Sequence, residues 1–212
     1  MRATTTPLPP PHFFVGLDLG QHNDPTAIAV LERTAVRTGF DHVNWVPIQQ
    51  DVYHLRHLER VPLKTTYAAI VGHVREILQP LAPRVTLVVD ATGIGGPIVE
   101  MLKAARLPAT LVPVTITSGD RENGTHVPKK NLISNLQIMF ELGELKIAAN
   151  LEETQRFVQE LTTMQVKITP AARETFGPSK STAHDDLVLA AALAAWKAKQ
   201  KPQPLFINRR LI

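Results

Sequence analysis

Three aspartates that lie far apart in the chain each stand at the boundary of an apolar segment. Asp18 and Asp90 each end a run with the composition of a buried β-strand, and Asp186 begins a long apolar helix. Only folding can bring them together. Carboxylates gathered in one cleft repel one another and lose hydration, so they normally need a compensating cation. Oxygen ligands of this kind suit Mg²⁺ or Mn²⁺, and the sequence therefore predicts a fold organised around a divalent metal site.

The first aspartate lies in the segment Gly16-Leu17-Asp18-Leu19-Gly20, at the end of a strand. A lone carboxylate in such a strand costs several kcal/mol to bury unless it is paired or binds a metal. We expect Gly16 and Gly20 to leave space for a ligand to approach closely. The alternative is that Asp18 only caps a turn.

The second aspartate, Asp90, is followed by the glycine-rich segment Thr92-Gly93-Ile94-Gly95-Gly96. In open α/β sheets, ligands bind outside the carboxyl ends of the strands, where Asp90 is expected to lie. A dinucleotide-binding loop is excluded, because Ile98 stands where that motif needs glycine. A Walker A loop is excluded too, since no glycine in the chain precedes a lysine. The alternative is that Asp90 merely starts the turn.

The third segment, His184-Asp185-Asp186, begins a predicted helix. An aspartate there is a common cap and suits the positive end of the helix dipole, which explains one acidic residue better than two. Adjacent helical positions point about 100° apart, so only one carboxylate need face the cleft. Apolar residues continue the helix from both positions, and periodicity does not choose between them. His184 either orients a carboxylate, contacts phosphate or is an exposed structural histidine.

The order of the predicted elements is a β-meander and a helix, followed by alternating strands and helices. This order predicts an α/β fold with a mixed central sheet flanked by helices. We expect a Pro-rich tail or linker over 1–11, one domain over 12–200 and a C-terminal tail over 201–212. Strands are predicted at 12–19, 26–31, 41–55, 85–90, 109–116, 145–148 and 165–168, and helices at 65–78, 97–105, 129–142, 151–164 and 185–199. Residues 117–126 and 169–183 are expected to form loops.

Composition narrows the class of partner. The net charge is +4, and a basic chain with a metal site favours a polyanion such as nucleic acid. Aromatic residues make up only 5%, which argues against a stacking platform for single strands. No stretch is long and apolar enough to span a membrane, and no secretory signal is visible. The absence of cysteine fits a reducing cytoplasm.

The chain resembles the ribonuclease H-like nucleases, and among them the nuclease domain of viral DNA-packaging terminase large subunits. The resemblance spans 13–199 and rests on three motifs with their order and placement: Gly16-Leu17-Asp18 before a hairpin, Val89-Asp90-Ala91-Thr92-Gly93, and His184-Asp185-Asp186-Leu187 before an Ala/Leu helix. The basic segment Val127-Pro128-Lys129-Lys130 also looks like the helix start seen in that family.

The resemblance implies a metal-dependent endonuclease that cuts double-stranded viral DNA during packaging. Asp18, Asp90 and Asp186 would be the catalytic, metal-binding triad for two Mg²⁺ or Mn²⁺ ions, with Asp18 shared between the ions. Asp185 is a second-rank ligand candidate. Family partners would be an upstream ATPase motor, a small terminase subunit and a portal. The candidate contacts to the DNA backbone are Lys129, Lys130, Arg121, Arg173 and Lys180.

Three alternatives remain at this point. A Holliday-junction resolvase would use a similar acidic cluster but prefer four-way junctions. An actin-like or sugar-kinase lobe has a phosphate loop like Gly16-Leu17-Asp18-Leu19-Gly20, but it needs a second lobe and has no place for His184-Asp185-Asp186. A DNA-binding subunit without catalysis would not need the full set of aspartates.

Overall fold

The computed structural model describes residues 7–20, 24–93, 95–168, 174–178 and 184–200. Within them the strands are β1 His12–Asp18, β2 Ala27–Asp41, β3 Val46–Arg60, β4 Val85–Asp90, β5 Thr110–Thr117, β6 His126–Pro128, β7 Leu145–Ile147, β8 Met164–Ile168 and β9 Glu174–Pro178. The helices are α1 Tyr67–Leu78, α2 Gly95–Ala104, α3 Lys129–Glu141, α4 Thr154–Thr163 and α5 Asp186–Lys199.

Seven strands form one mixed sheet in the order β6-β5-β4-β1-β2-β3-β7. β1, β2 and β3 are an antiparallel meander, whereas β4, β5 and β6 run parallel to β1. The predicted α/β fold with a mixed sheet is therefore confirmed. β1 and β4 are neighbours because the chain crosses back over the sheet through α1, which gives the two strands a common direction.

The two faces of the sheet bury separate hydrophobic clusters. Alternate residues of β1 divide between them: Phe14 packs with α3, α4 and α5, whereas Val15 and Leu17 pack with α1 and α2. Successive side chains of a strand point to opposite faces, which accounts for this division. The protein is consequently a three-layer arrangement with the sheet in the middle.

Helix α5 is buried on nearly all sides, as expected for a helix without a polar face. It lies directly on β1, and the contact depends on Gly16. A Cβ atom at that position would lie 1.8 Å from the carbonyl oxygen of Ala190. The expectation that Gly16 leaves room for a ligand is wrong, because the helix backbone fills that space. Gly20 is similar, since its Cβ would lie 1.9 Å from the carbonyl oxygen of Asp24.

Strand β2 is much longer than the predicted 26–31, and β3 is shifted from the predicted 41–55 toward the carboxyl end. The segment 41–45, predicted as strand, contains their turn. Residues 34–41 extend past the end of β1 and pair with β3 alone, as a two-stranded ribbon. Its tip exposes Trp45, 77% accessible, and Val43, 88% accessible. The ribbon buries little, so it has no apolar run by which its length could be predicted.

Three further expectations are corrected. The predicted edge strand at 165–168 is β8, which pairs with β9 in a separate two-stranded sheet. Residues 174–178 form β9 where a loop was predicted. The short strand β6 also lies inside a region predicted as loop and helix start. No helix in the described ranges is long and apolar enough to cross a membrane.

Candidate active site

Asp18 and Asp90 end two adjacent parallel strands. In the register of β1 and β4, Leu17 lies opposite Val89, so the two aspartates that follow are neighbours at the carboxyl ends. Val88 belongs to the cluster beneath α5, as Phe14 does. The period of two therefore places Asp90 and Asp18 on the face of the sheet that α5 covers.

Asp186 reaches the same place from the helix. It is the first residue of α5, and Ala190, one turn later, packs against Gly16, which is two residues before Asp18. The close contact between helix and strand thus sets the amino-terminal end of α5 beside the carboxyl end of β1. Asp18 is 8% exposed and Asp186 is 7% exposed, so both carboxyl groups lie largely out of contact with water.

Burial and nearby negative charge raise the pKa values of the two most enclosed carboxyl groups, Asp18 and Asp186. Burial raises the pKa of Asp18 well above its ordinary value, and the negative charges of Asp90, Asp186 and Asp185 raise it further. Lys129 lowers this pKa and is a cation that faces the cluster. The buried position of Asp186 raises its pKa to about 6, against the lowering influence of nearby cations. Such groups bind a proton or a metal ion more readily than isolated carboxylates do.

Asp90 is held by the turn that follows β4. Its Oδ1 accepts hydrogen bonds from the Thr92 backbone N–H at 2.8 Å and from the Thr92 hydroxyl at 2.5 Å. The same hydroxyl oxygen accepts the Ile116 N–H at 2.8 Å, which ties the turn to β5. Asp90 therefore does start the turn, which was the alternative to a ligand role in the sequence analysis. The turn uses only one carboxylate oxygen of Asp90 and leaves the other available to a ligand.

The neighbours of Asp186 differ in their contacts. Asp185 forms an ion pair with Lys129, whose Nζ lies 2.6 Å from Oδ2. His184 Nδ1 lies 3.5 Å from Asp24 Oδ1 and 3.6 Å from Asp186 Oδ2. Asp186 is the more buried aspartate, and its Oδ2 has no hydrogen bond with any of the described residues. Of the two adjacent aspartates, Asp186 is the one with an unsatisfied oxygen.

Sequence reasoning missed two residues beside Asp186. Arg60, at the end of β3, donates a hydrogen bond from Nη2 to Glu160 Oε1, and the same nitrogen lies 3.5 Å from Asp186 Oδ2. Glu160 lies on α4 with its side chain 6% exposed, and burial raises its pKa to about 7. The signal for Glu160 was its helical spacing of three residues from the buried Phe157. The signal for Arg60 was its position two residues after the buried Leu58, which places both side chains on the same face of β3.

The carboxylates converge without forming a closed ligand set. Within the described parts of the chain, no group of three or more His, Cys, Asp or Glu side chains is arranged to hold a metal ion. Asp90 engages Thr92, and Asp185 engages Lys129. Joint coordination by Asp18, Asp90 and Asp186 therefore requires side-chain adjustments, with Asp90 taking part through the oxygen that does not engage Thr92. The donors still fit a hard cation, because they are carboxylates with an unsatisfied oxygen on Asp186 and a raised pKa at Asp18.

The predicted DNA-contact residues have different surroundings. Lys129 is part of the carboxylate cluster through Asp185, and Lys130 pairs with Asp120. Arg121 is exposed in the loop that follows β5. Arg173 and Lys180 lie outside the described residues.

Comparison with known proteins places this geometry in a familiar fold. Neither models of protein families nor curated proteins match the sequence. Solved structures do. The chain has the fold of a large-terminase nuclease domain. It is similar to the large terminase nuclease of thermophilic phage G20c with bound magnesium, at 22% identity and a TM-score of 0.63, covering 89% of this chain and 82% of that one.

Two further structures carry the same fold at lower identity. The nuclease domain of the large terminase subunit gp2 of bacterial virus Sf6 is 13% identical, with a TM-score of 0.63, covering 91% of this chain and 89% of that one. The large terminase nuclease domain of bacteriophage SPP1 with bound Mn is 12% identical, with a TM-score of 0.53, covering 88% and 86%. The ribonuclease H-like fold expected from the motifs is therefore confirmed.

Proposed function

We propose that this chain is a divalent-metal-dependent endonuclease that cleaves double-stranded DNA during viral genome packaging, as the nuclease part of a terminase large subunit. The observation that carries the proposal is the convergence of Asp18, Asp90 and Asp186 at one end of the sheet, in the fold of phage terminase nucleases. The terminase nucleases of G20c and SPP1 bind Mg²⁺ and Mn²⁺ respectively, which supports the same choice of ion here.

In this proposal Asp18, Asp90 and Asp186 would hold two divalent ions. The ions, when bound, supply Lewis acidity toward water and toward the scissile phosphate. The protein's part is to position the ligands. β1 and β4 fix Asp18 and Asp90 side by side, Thr92 sets the orientation of Asp90, and α5 brings Asp186 to them.

The substrate strand would approach past the basic side of the cluster. Lys129 lies at the first position of α3, against Asp185, and is near enough to the cluster to affect the protonation of Asp18. We propose that Lys129 contacts a backbone phosphate next to the cleavage position, where its charge also limits the repulsion between DNA and carboxylates. Lys130, Arg121, Arg173 and Lys180 are proposed as further contacts along the DNA backbone.

The biological setting follows from the same resemblance. We propose that the nuclease works in the cytoplasm of a phage-infected cell, together with an ATPase motor, a small terminase subunit and a portal. The sequence has no Walker A motif, so the motor's ATP site would lie outside the 212 residues. No observation favours the actin-like or sugar-kinase reading, and the structural matches favour a packaging nuclease over a junction resolvase.

Cleavage of supercoiled plasmid tests the proposal. The protein should nick and linearise plasmid in Mn²⁺ or Mg²⁺ and stop when a chelator is added. The Asp18→Asn and Asp90→Asn variants, verified as folded by circular dichroism, should be inactive, while the Glu100→Gln variant of an exposed ion pair on α2 should cleave normally. Cleavage that persists in both aspartate variants would contradict the assignment. A strong preference for four-way junctions over linear duplex would instead favour a resolvase.

A further inference from the structure

The buried ion pair between Arg60 and Glu160 adjoins the metal site without belonging to it. The Arg60 guanidinium has two carboxylates within reach, and it makes different contacts with them. Nη2 hydrogen-bonds Glu160 Oε1, whereas its distance to Asp186 Oδ2 is 3.5 Å. The second distance is too long for a good charge-assisted hydrogen bond. Glu160 therefore binds the guanidinium in preference to Asp186.

Glu160 also holds the beginning of α5. Its Oε2 accepts the backbone N–H of Val188 at 3.1 Å. This N–H is one of the first-turn donors that have no partner within a helix, and the residue before the helix, Asp185, makes no side-chain capping bond. The Glu160 carboxylate thus holds both the start of α5, which carries Asp186, and the Arg60 guanidinium beside it.

The consequence for Asp186 is that its Oδ2 is buried without a hydrogen bond from the part of the chain that the structure describes, although a guanidinium lies nearby. A full pair between Arg60 and Asp186 would neutralise the carboxylate and occupy the oxygens that a metal ion needs. An Arg60 freed from Glu160 would be expected to form that pair, because Glu160 and Asp186 are the carboxylates beside its guanidinium in the described part of the chain.

We propose that Glu160 is a positioning residue that diverts Arg60 from Asp186 and so keeps the Asp186 carboxylate open to a divalent ion. The proposal rests on the metal-dependent function proposed above. It makes Glu160 a determinant of metal affinity from a neighbouring helix, although it binds no metal itself. Residues that orient metal ligands in this way typically change affinity by about 10- to 100-fold when replaced.

Mn²⁺ binding by the full chain, measured by isothermal titration calorimetry at pH 7, tests the proposal without relying on cleavage. Glu160→Gln keeps an oxygen acceptor for Val188 but loses the charge that holds Arg60, and it should raise the dissociation constant for Mn²⁺ by about tenfold. The double variant Arg60→Gln, Glu160→Gln removes the competing cation as well and should return to within about threefold of the wild type. Glu144→Gln is the matched control, because it breaks the pair with Lys199 at the other end of α5.

The outcomes separate this inference from the proposed function. A wild-type protein that takes up no Mn²⁺ would overturn the metal site and this inference with it. Wild-type affinity in Glu160→Gln would overturn the inference alone, and so would a double variant as weak as the single one, because a purely structural role predicts no rescue. If Glu160→Gln does not fold, Arg60→Gln alone decides: it should bind Mn²⁺ at least as tightly as the wild type, and clearly weaker binding would refute the proposal.

Discussion

Replacing Asp186 by asparagine should stabilise the metal-free protein. The pKa of Asp186 rises from 3.8 to about 6 on folding, mainly because the carboxyl group is buried. Each pKa unit corresponds to about 1.4 kcal/mol, so keeping this group ionised at pH 7 costs the folded state up to about 3 kcal/mol. Asparagine has nearly the same shape and carries no charge, so the Asp186→Asn variant should gain a large part of that free energy.

The gain should depend on pH in a defined direction. A carboxyl group whose pKa is higher in the folded state binds protons more tightly there, so its ionisation destabilises the fold as pH rises. The wild type should therefore lose stability relative to Asp186→Asn between about pH 3.8 and pH 6, with a constant difference above that range. Below it the two proteins should be equally stable.

Urea unfolding in the presence of a chelator, followed by circular dichroism from pH 4 to pH 8, measures the difference directly. Asp185→Asn is the matched control, because it removes a neighbouring carboxylate that has an ion-pair partner in Lys129 and should gain nothing. Mn²⁺ at about 1,000 times its dissociation constant should reverse the order, since at that excess a ligand stabilises the folded state by about 4.1 kcal/mol. An Asp186→Asn protein less stable than the wild type at pH 7, or a gain unchanged at pH 4, would refute the reasoning.

Three further changes test other parts of the structure. Gly16→Ala should lower the free energy of unfolding in urea by about 3 kcal/mol or more, because a Cβ atom there lies 1.8 Å from the Ala190 carbonyl oxygen. The control Gly72→Ala, on the open surface of a helix, should raise it by up to about 1 kcal/mol. Equal effects would contradict the packing of α5 on β1. Thr92→Val removes the hydroxyl that joins Asp90 to Ile116 and should cost about 1 to 2 kcal/mol, with weaker Mn²⁺ binding in calorimetry; an unchanged affinity would show that Thr92 does not orient Asp90. The Mn²⁺ dissociation constant of the wild type should fall as pH rises from 5 to 8, because protons compete for Asp18 and Asp186, whose pKa values are raised; a constant value would exclude these ligands.

The strand and helix ends that carry the three aspartates were predictable because each borders a strong apolar pattern. Val85 to Val89 and the alanine-rich α5 have few other ways to fold, and strand direction then follows from the crossover through α1. The structural role of Gly16 was not predictable. A glycine two residues before a candidate metal ligand is compatible both with a bound molecule and with a closely packed helix. Only the position of Ala190 decides between them.

The network around Asp186 was missed for a different reason. Arg60 and Glu160 lie a hundred residues apart in the chain, on β3 and α4. In the sequence each of them looks like an ordinary charged residue on the protein surface. Helical spacing indicates that Glu160 is buried, and strand alternation indicates the same for Arg60. Neither pattern predicts that these two side chains will contact each other. The extension of β2 past 31 escaped prediction because exposed strands carry no burial pattern.

The contact between α5 and β1 stabilises this fold, and the same contact brings together the carboxylates that repel one another. α5 can lie on β1 because glycine at position 16 admits the helix backbone, and that contact buries nearly every residue of the helix. The same contact drives the helix start against the end of β1, so Asp18 cannot avoid the field of Asp186. Moving the helix away would relieve the repulsion but expose the core beneath it. The strain at the carboxylates is therefore maintained by hydrophobic burial elsewhere, which is the arrangement expected where a site is selected for binding a cation rather than for stability.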